Sequence, residues 1–416
     1  MRKIKHPTGE SREGTSPWAM LDLYAREQIQ GFVQRLLDEE VEELLGRAKS
    51  ERRSASTPAG SRNGHGTPRQ LALMTGTITL RRPRVRDVEE RFVSRVLPLF
   101  KRQSAAVGAL LPELYLHGLA LGDFELALRG LLGDAAPLSP SSILRVKAEW
   151  QGQYDTWRQR ELSDLEVVYI WADGIYVKAG LEDTKAALLV VIGALADGRK
   201  VILAVESGLR ESTESWATVL RDLKARGLRA PQLTIADGHL GIWSALAQVY
   251  PTSAEQRCWN HKLRNVLDVV PEKQQPEVKL KLQAIAAADS EATCERLKAA
   301  FRRAYAKGLP KAVERLERDW ERMIAYYAFP AEHWRHLRTT NVVESPFHAV
   351  RLRTSAAKRF KKVENATALI WKLLLVAEQQ FRKLNAPHLC KDVYTGTRFR
   401  DGVRVVTQPT RERRAA

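Results

Sequence analysis

The sequence predicts an α/β chain, with a mixed five-stranded sheet and flanking helices, an all-helical segment that interrupts them, and a helical region in front. Three observations carry this. Between Val167 and Val205 three apolar runs follow one another, the last two joined by the hairpin dipeptide Asp197-Gly198. From Thr213 to Trp259 helix-type and strand-type periodicity alternate. From Pro271 to His336 only helical spacing remains, with Leu282, Ile285, Phe301, Leu316 and Trp320 at compatible intervals.

The 416 residues are enough for about two to three domains. Lys and Arg number 67 against 49 Asp and Glu, a formal net of +18, so the expected partner is a polyanion, either nucleic acid or an anionic membrane. The membrane reading loses ground because no window approaches the ~18 apolar residues of a spanning helix. Met1 to Glu10 contains no apolar run that would suggest a secretory signal. Cys258, Cys294 and Cys390 have no paired spacing, which fits a reducing compartment. A cytoplasmic, nucleoid-associated prokaryotic protein is expected, with no membrane partner.

Pro17 to Lys49 reads as a helix, with Ile29, Val33, Leu36 and Leu37 on one face. Gly46 ends it, and the Ser-, Arg-, Gly- and Pro-rich stretch from Ser50 to Pro68 reads as an exposed linker. The strand pattern Thr77 to Leu80 runs into Arg81, Arg82, Arg84 and Arg86, a basic arm suited to a phosphate backbone. From Ala105 to Trp150 helical periodicity is broken at Gly118, Gly122 and Gly133, and a last helix starts at Ile143 behind the cap Ser139-Pro140-Ser141-Ser142. Short helices with tight turns suggest a helix-turn-helix-like unit, although a plain helical packing module fits the same pattern. Residues 1–60 thus form a helical segment and basic linker, and 61–150 a DNA-binding region.

In the central part the apolar run Val167 to Ala172 ends at Asp173-Gly174, with Ile175-Tyr176-Val177 continuing it, and Leu233 to Ala236 ends at Asp237-Gly238. Three strands, a helix, a strand, a helix and a strand is the order of an RNase H-like domain. Its first part spans 160–270, the helical insertion 271–338, the last part 339–390, and a basic tail 391–416. Thr340 or Asn341 caps a helix running from about Val343 through Arg351 to Lys362.

Cleaving or joining a phosphodiester calls for an activated oxygen nucleophile and charge stabilisation, which two divalent ions about 3.5–4 Å apart provide. Hard cations need carboxylate oxygens held on rigid elements. Asp173 and Asp237, 64 residues apart at corresponding strand ends, fit, though Asp-Gly is also an ordinary turn dipeptide. Glu344, in the first turn after Thr339-Thr340-Asn341, supplies a third carboxylate, though a Glu there can also serve the helix dipole.

The segments WADGIYVKAGLEDTKAALLVV, DGRKVILAVESGLRESTESWATVLRDLKARGL, IADGHLGIWSAL, QRCWNHKLRNVLDVVP and FPAEHWRHLRTTNVVESPFHAVRLRT resemble the mutator-type transposases of bacterial insertion sequences, in order and spacing, from about Asn63 to Leu389. The resemblance implies a DDE triad of Asp173, Asp237 and Glu344 that holds two divalent ions, Mg2+ with Mn2+ able to substitute, and an all-helical insertion before the Glu helix. It places Cys258 and His261 on the family's Cys-x-x-His motif, beside the fifth strand, as support for the active site. A zinc site is the competing reading of that pair, but no second close Cys/His pair completes four ligands, and buried packing with one polar contact is the plainer alternative. Arg62-Asn63-Gly64 and Pro83-Arg84-Val85-Arg86 also resemble family blocks, whereas GLALGD at Gly118 to Asp123 departs from the usual Ser or Thr followed by Arg.

The function this implies is transposition: binding the terminal inverted repeats of its own element as double-stranded DNA, cutting at their ends and joining them to target DNA, as a homodimer on DNA. An RNase H-like nuclease or resolvase without strand transfer, or a DNA-binding regulator derived from a transposase, are the alternatives. Arg351, Arg353, Lys358, Arg359, Lys361 and Lys362 follow Glu344 and are candidate phosphate contacts, or else a solvated face.

Overall fold

The computed structural model describes residues 17–54, 57–90, 92–98, 104, 106–107, 114, 140–179, 185–208, 211–238, 240–357, 360 and 362–405. Most of the expected helix-turn-helix-like region, the departure at Gly118 to Asp123, and Lys358, Arg359 and Lys361 lie outside them. The chain forms two compact units, Met1–Val146 and Lys147–Ala416.

In the first unit, helix α1 (Pro17–Leu45) stops at Gly46, whose φ of +59° is the left-handed conformation glycine takes up without strain. Strands β1 (Ser61–Leu73) and β2 (Gly76–Arg86) form an antiparallel hairpin. Leu37 of α1 is buried with Leu71, Ile78, Leu80 and Leu97, and Ile29 and Val33 pack against them. Glutamines of α1 also bind the β2 backbone: Gln34 accepts from the Arg81 N–H and donates to its carbonyl, both at 2.9 Å, and Gln30 accepts from the Thr79 N–H. The expected linker therefore ends earlier than its composition suggests, because Ser61 to Pro68 belongs to β1. Register irregularities between Arg62 and His65 and between His65 and Pro68 accommodate Gly64 and Gly66, which a regular ladder resists.

Helix α2 (Pro140–Arg158), which belongs to the second unit from Lys147 on, leads to a five-stranded sheet of β3 (Val167–Lys178), β4 (Lys185–Leu195), β5 (Lys200–Gly208), β6 (Leu233–Ala236) and β7 (Ala254–Arg257), in the order β5-β4-β3-β6-β7. β3, β4 and β5 are antiparallel neighbours, and β6 and β7 add on in parallel. α3 (Thr213–Ala225) connects β5 to β6, and α4 (Leu240–Val249) connects β6 to β7. This is an RNase H-like sheet.

Alternation along β3 sorts the two faces. Ile170 and Ala172 are buried in one cluster with Trp216 and Leu220 of α3 and Ile242 and Leu246 of α4. Tyr169 and Trp171 point the other way, the Tyr169 hydroxyl lying 2.8 Å from His333 Nδ1 and the Trp171 indole donating to the His336 carbonyl. Beyond β7 the chain is helical: α5 (Trp259–Leu267), α6 (Gln275–Ala286), α7 (Glu291–Tyr305), α8 (Pro310–Glu317), α9 (Trp320–Ile324) and α10 (Trp334–Leu337), then α11 (Asn341–Ala357), α12 (Val363–Glu378) and α13 (Leu389–Tyr394).

The tail has more order than its sequence suggests. β8 (Phe399–Arg400) and β9 (Val403–Arg404) pair through Asp401 and Gly402, both at positive φ as a tight hairpin turn requires. Gly402 N–H donates to the Tyr327 carbonyl, and Asp401 accepts from the Glu291 N–H. Among the described residues no helix is long and apolar enough to cross a membrane.

Candidate active site

The parallel pairing of β3 with β6 ends at Ala172 opposite Ala236, so Asp173 and Asp237 leave the ladder abreast. β6 stops there as expected. β3 runs on through Ile175, Tyr176 and Val177 to Lys178, with β4 pairing to it as far as Lys185. The two glycines that follow have different purposes. Gly238 sits at φ +99°, and a Cβ there would strike the Arg257 side chain. Gly174 has ordinary strand geometry, but a Cβ on it would strike the carboxyl of Glu211.

Asp173 lies on the same face of β3 as Tyr169 and Trp171. Burial first, and then the charge of Asp237, push its carboxyl up to about 8, against a hydrogen bond from the Gly174 N–H that favours the charged form. Glu211 and Glu344 add to the repulsion. Arg257 braces the neighbouring turn, with Nε donating to the Asp237 carbonyl at 3.4 Å and Nη1 paired to Asp319 at 2.8 Å.

Glu344 arrives on α11. The Thr340 carbonyl accepts from the N–H groups of Val343 and Glu344, so Thr340 caps the helix as predicted. Its hydroxyl is used otherwise, lying 2.6 Å from Glu344 Oε1, 3.2 Å from Cys258 Sγ and 3.5 Å from His261 Nδ1. One hydroxyl proton cannot serve all three, and the carboxylate is the strongest acceptor. Cys258 Sγ also accepts from the Thr340 N–H, and the Cys258 N–H donates to the Ala236 carbonyl next to Asp237. Burial pushes the Cys258 thiol up and pulls the His261 imidazole down, the latter against the charges of Asp237 and Glu344. His261 Nδ1 stands 3.6 Å from Glu344 Oε1.

These side chains gather into two donor groups. Asp173, Asp237 and Glu211 have ligand oxygens within 4.8 Å of one another, and Cys258, His261 and Glu344 bring a thiol, an imidazole and a carboxylate equally close. The first group holds only hard oxygen donors, the set that suits magnesium or manganese. Glu211 escaped the sequence reading because it sits outside both strand and helix periodicity, one residue before the α3 N-cap Ser212. Its faint signal is an acidic residue immediately ahead of a Ser-x-x-Ser cap.

A profile of the Mutator family of transposases matches residues 10–383. This chain belongs to that family. It is 43% identical over 301 residues to the transposase for insertion sequence element IS6120 of Mycolicibacterium smegmatis, covering 72% of this chain and 93% of that protein. It is 42% identical to the transposase for insertion sequence element IST2 of Acidithiobacillus ferrooxidans, covering 67% and 94%. Among solved structures, the HTLV-2 integrase catalytic core domain in complex with magnesium aligns with 30% of this chain and 87% of its own, at 12% identity and a TM-score of 0.18. The strand order, rather than that overlay, carries the fold.

The basic candidates of this Mutator-family chain divide by exposure. Arg81, Arg84 and Arg86 are exposed on β2, while Arg82 is half-buried and donates to the Phe92 carbonyl. On α11, Val343, Phe347, Val350 and Arg353 form a buried stripe at helical spacing, with Arg353 only 2% exposed. Arg351, two residues away, is exposed, as is His348, and both follow Glu344 along the helix at four- and seven-residue spacing. Of the two arginines only Arg351 faces solvent. Lys362 precedes α12 as its N-cap and is exposed.

Proposed function

We propose that the chain is a DDE transposase acting on double-stranded DNA, cleaving at the terminal inverted repeats of its own insertion sequence and joining the freed 3′ hydroxyl to target DNA. Asp173, Asp237 and Glu344 hold two divalent ions, magnesium with manganese able to substitute. The observation that carries this reading is the register of β3 and β6, which sends Asp173 and Asp237 out side by side at the end of the parallel ladder. When bound, the ions supply charge neutralisation at the phosphoryl oxygens and activation of the oxygen nucleophile.

The chain's own contribution is positioning. The sheet fixes the two aspartates, Arg257 and Asp319 brace the Asp237 turn, and Thr340 holds the Glu344 carboxylate in one orientation. His261, with Nδ1 3.6 Å from Glu344 Oε1, would contact a backbone phosphate near the cleavage point. Arg81, Arg84, Arg86, Arg351 and Lys362 contact phosphates, and the region to Trp150 reads the repeat sequence.

The test uses an oligonucleotide that carries a pre-cut element end and a target plasmid, with Mg2+. The wild-type chain joins them, whereas Asp173→Asn, Asp237→Asn and Glu344→Gln bind the end and join nothing. Hydrolysed but unjoined DNA would make the protein an RNase H-like nuclease. Specific binding with neither product would make it a regulator.

A further inference from the structure

We propose that Glu211 is a fourth carboxylate of the metal centre, a ligand delivered from the face of the sheet opposite to Glu344; the inference rests on the metal-dependent reading above. Three observations support it. Glu211 is 6% exposed, and its carboxylate lies within 4.8 Å of those of Asp173 and Asp237. Tyr176 hydrogen-bonds to Glu211, and a cation would offset the repulsion that remains among the three carboxylates.

The second observation is the space made for it. Asp173 points to the Tyr169 and Trp171 face of β3, so Gly174 turns toward α3 and α4. A side chain there would occupy the position of the Glu211 carboxyl. Glycine is required at 174 by that close approach, since the backbone itself is ordinary strand.

The third is that the Glu211 backbone is held. Ser212 caps α3, its side chain accepting from the Ser215 N–H. Gly241 of α4 comes so near that a Cβ on it would stand 2.8 Å from the Glu211 carbonyl and from Thr213 N. A carboxylate on a fixed backbone, reaching the aspartates through a gap left by glycine, is preorganised as an oxygen ligand. Glu344 stands on α11 in the neighbouring group with Cys258 and His261, and its charge is felt at Asp173.

The experiment is a Mn2+ titration of the full chain followed by electron paramagnetic resonance, which counts free and bound ion without DNA or turnover. Wild type should bind Mn2+, and Glu211→Gln and Asp237→Asn should each weaken binding about 10-fold or more. Gly174→Ala keeps every carboxylate yet displaces Glu211, so it should weaken binding in the wild-type background and add nothing to Glu211→Gln. Thermal unfolding in chelator checks the fold, and Glu211→Gln should melt no lower than wild type because it relieves repulsion. Wild-type affinity in Glu211→Gln, with affinity lost in Asp173→Asn, would overturn this role and leave the triad reading intact. Absence of binding by wild type would overturn both.

Discussion

The two larger sheets of this chain put their charge in opposite places. The β1–β2 hairpin carries Arg81, Arg84 and Arg86 into water, and glutamines from α1 occupy part of the backbone edge that β2 would otherwise leave open. The five-stranded sheet is apolar along its central strands and concentrates charge at one end, where half-buried Asp173 and Asp237 meet buried Glu211. Exposed cations give affinity by releasing counterions from DNA, and their effect is screened by salt. Buried anions are costly by themselves and earn their place by binding cations. On the proposed function, one sheet would contact DNA and the other would carry the chemistry.

Substitutions should separate these two functions. The largest effect is expected at the acidic end: Asp173→Asn, Asp237→Asn or Glu344→Gln should take cleavage below detection while leaving affinity for end DNA within a few-fold, as gel shift and cleavage on the same samples would show. Next comes Thr340→Val, which keeps the volume but removes the hydroxyl that holds Glu344. It should lower the cleavage rate about 10–100-fold, and raised Mn2+ should restore part of it.

At the hairpin, neutralising Arg81, Arg84 and Arg86 together should weaken DNA binding and flatten its log–log salt dependence by about one unit per lost phosphate contact. The cleavage rate at saturating protein should stay close to wild type. An unchanged salt slope in a folded triple variant would remove the hairpin from the DNA-binding surface.

The smallest expected effect is on stability in chelator. Asp173 in the folded chain holds its proton up to about 8, against an ordinary value of 3.8, so the folded state binds more protons than the unfolded chain between those limits. That contribution to stability is full below the ordinary value and is lost as pH rises toward 8. Wild type should lose more melting temperature between pH 6 and pH 9 than Asp173→Asn does, and divalent metal should offset the loss by favouring the ionised form.

Much of the catalytic sheet was legible because a strand buried on both faces leaves a continuous apolar run, and the end of a run marks a position in space. Asp237 followed directly from that. Asp173 is less plainly marked, since Ile175, Tyr176 and Val177 continue the run past it and β3 follows them, paired with β4. Glu211 was not legible, because its importance comes from what Gly174 leaves out on a distant strand. Arg353 shows the converse: a basic run along a helix must turn some members inward, and the stripe Val343, Phe347 and Val350 determines which. The composition of Ser61 to Pro68 reads as a linker, but bulges allow such residues into a strand once a partner is present.

The central claim is that the carboxylates at the end of β3 and β6 perform metal-dependent cleavage of DNA that other parts of the chain hold. It is tested most directly by following binding and cleavage of a labelled element end in one reaction, for wild type and Asp237→Asn, with Mg2+ and with chelator. Cleavage should occur only for wild type in Mg2+, with both proteins bound to the end throughout. Cleavage by Asp237→Asn at the wild-type rate, or by wild type in chelator, would contradict it.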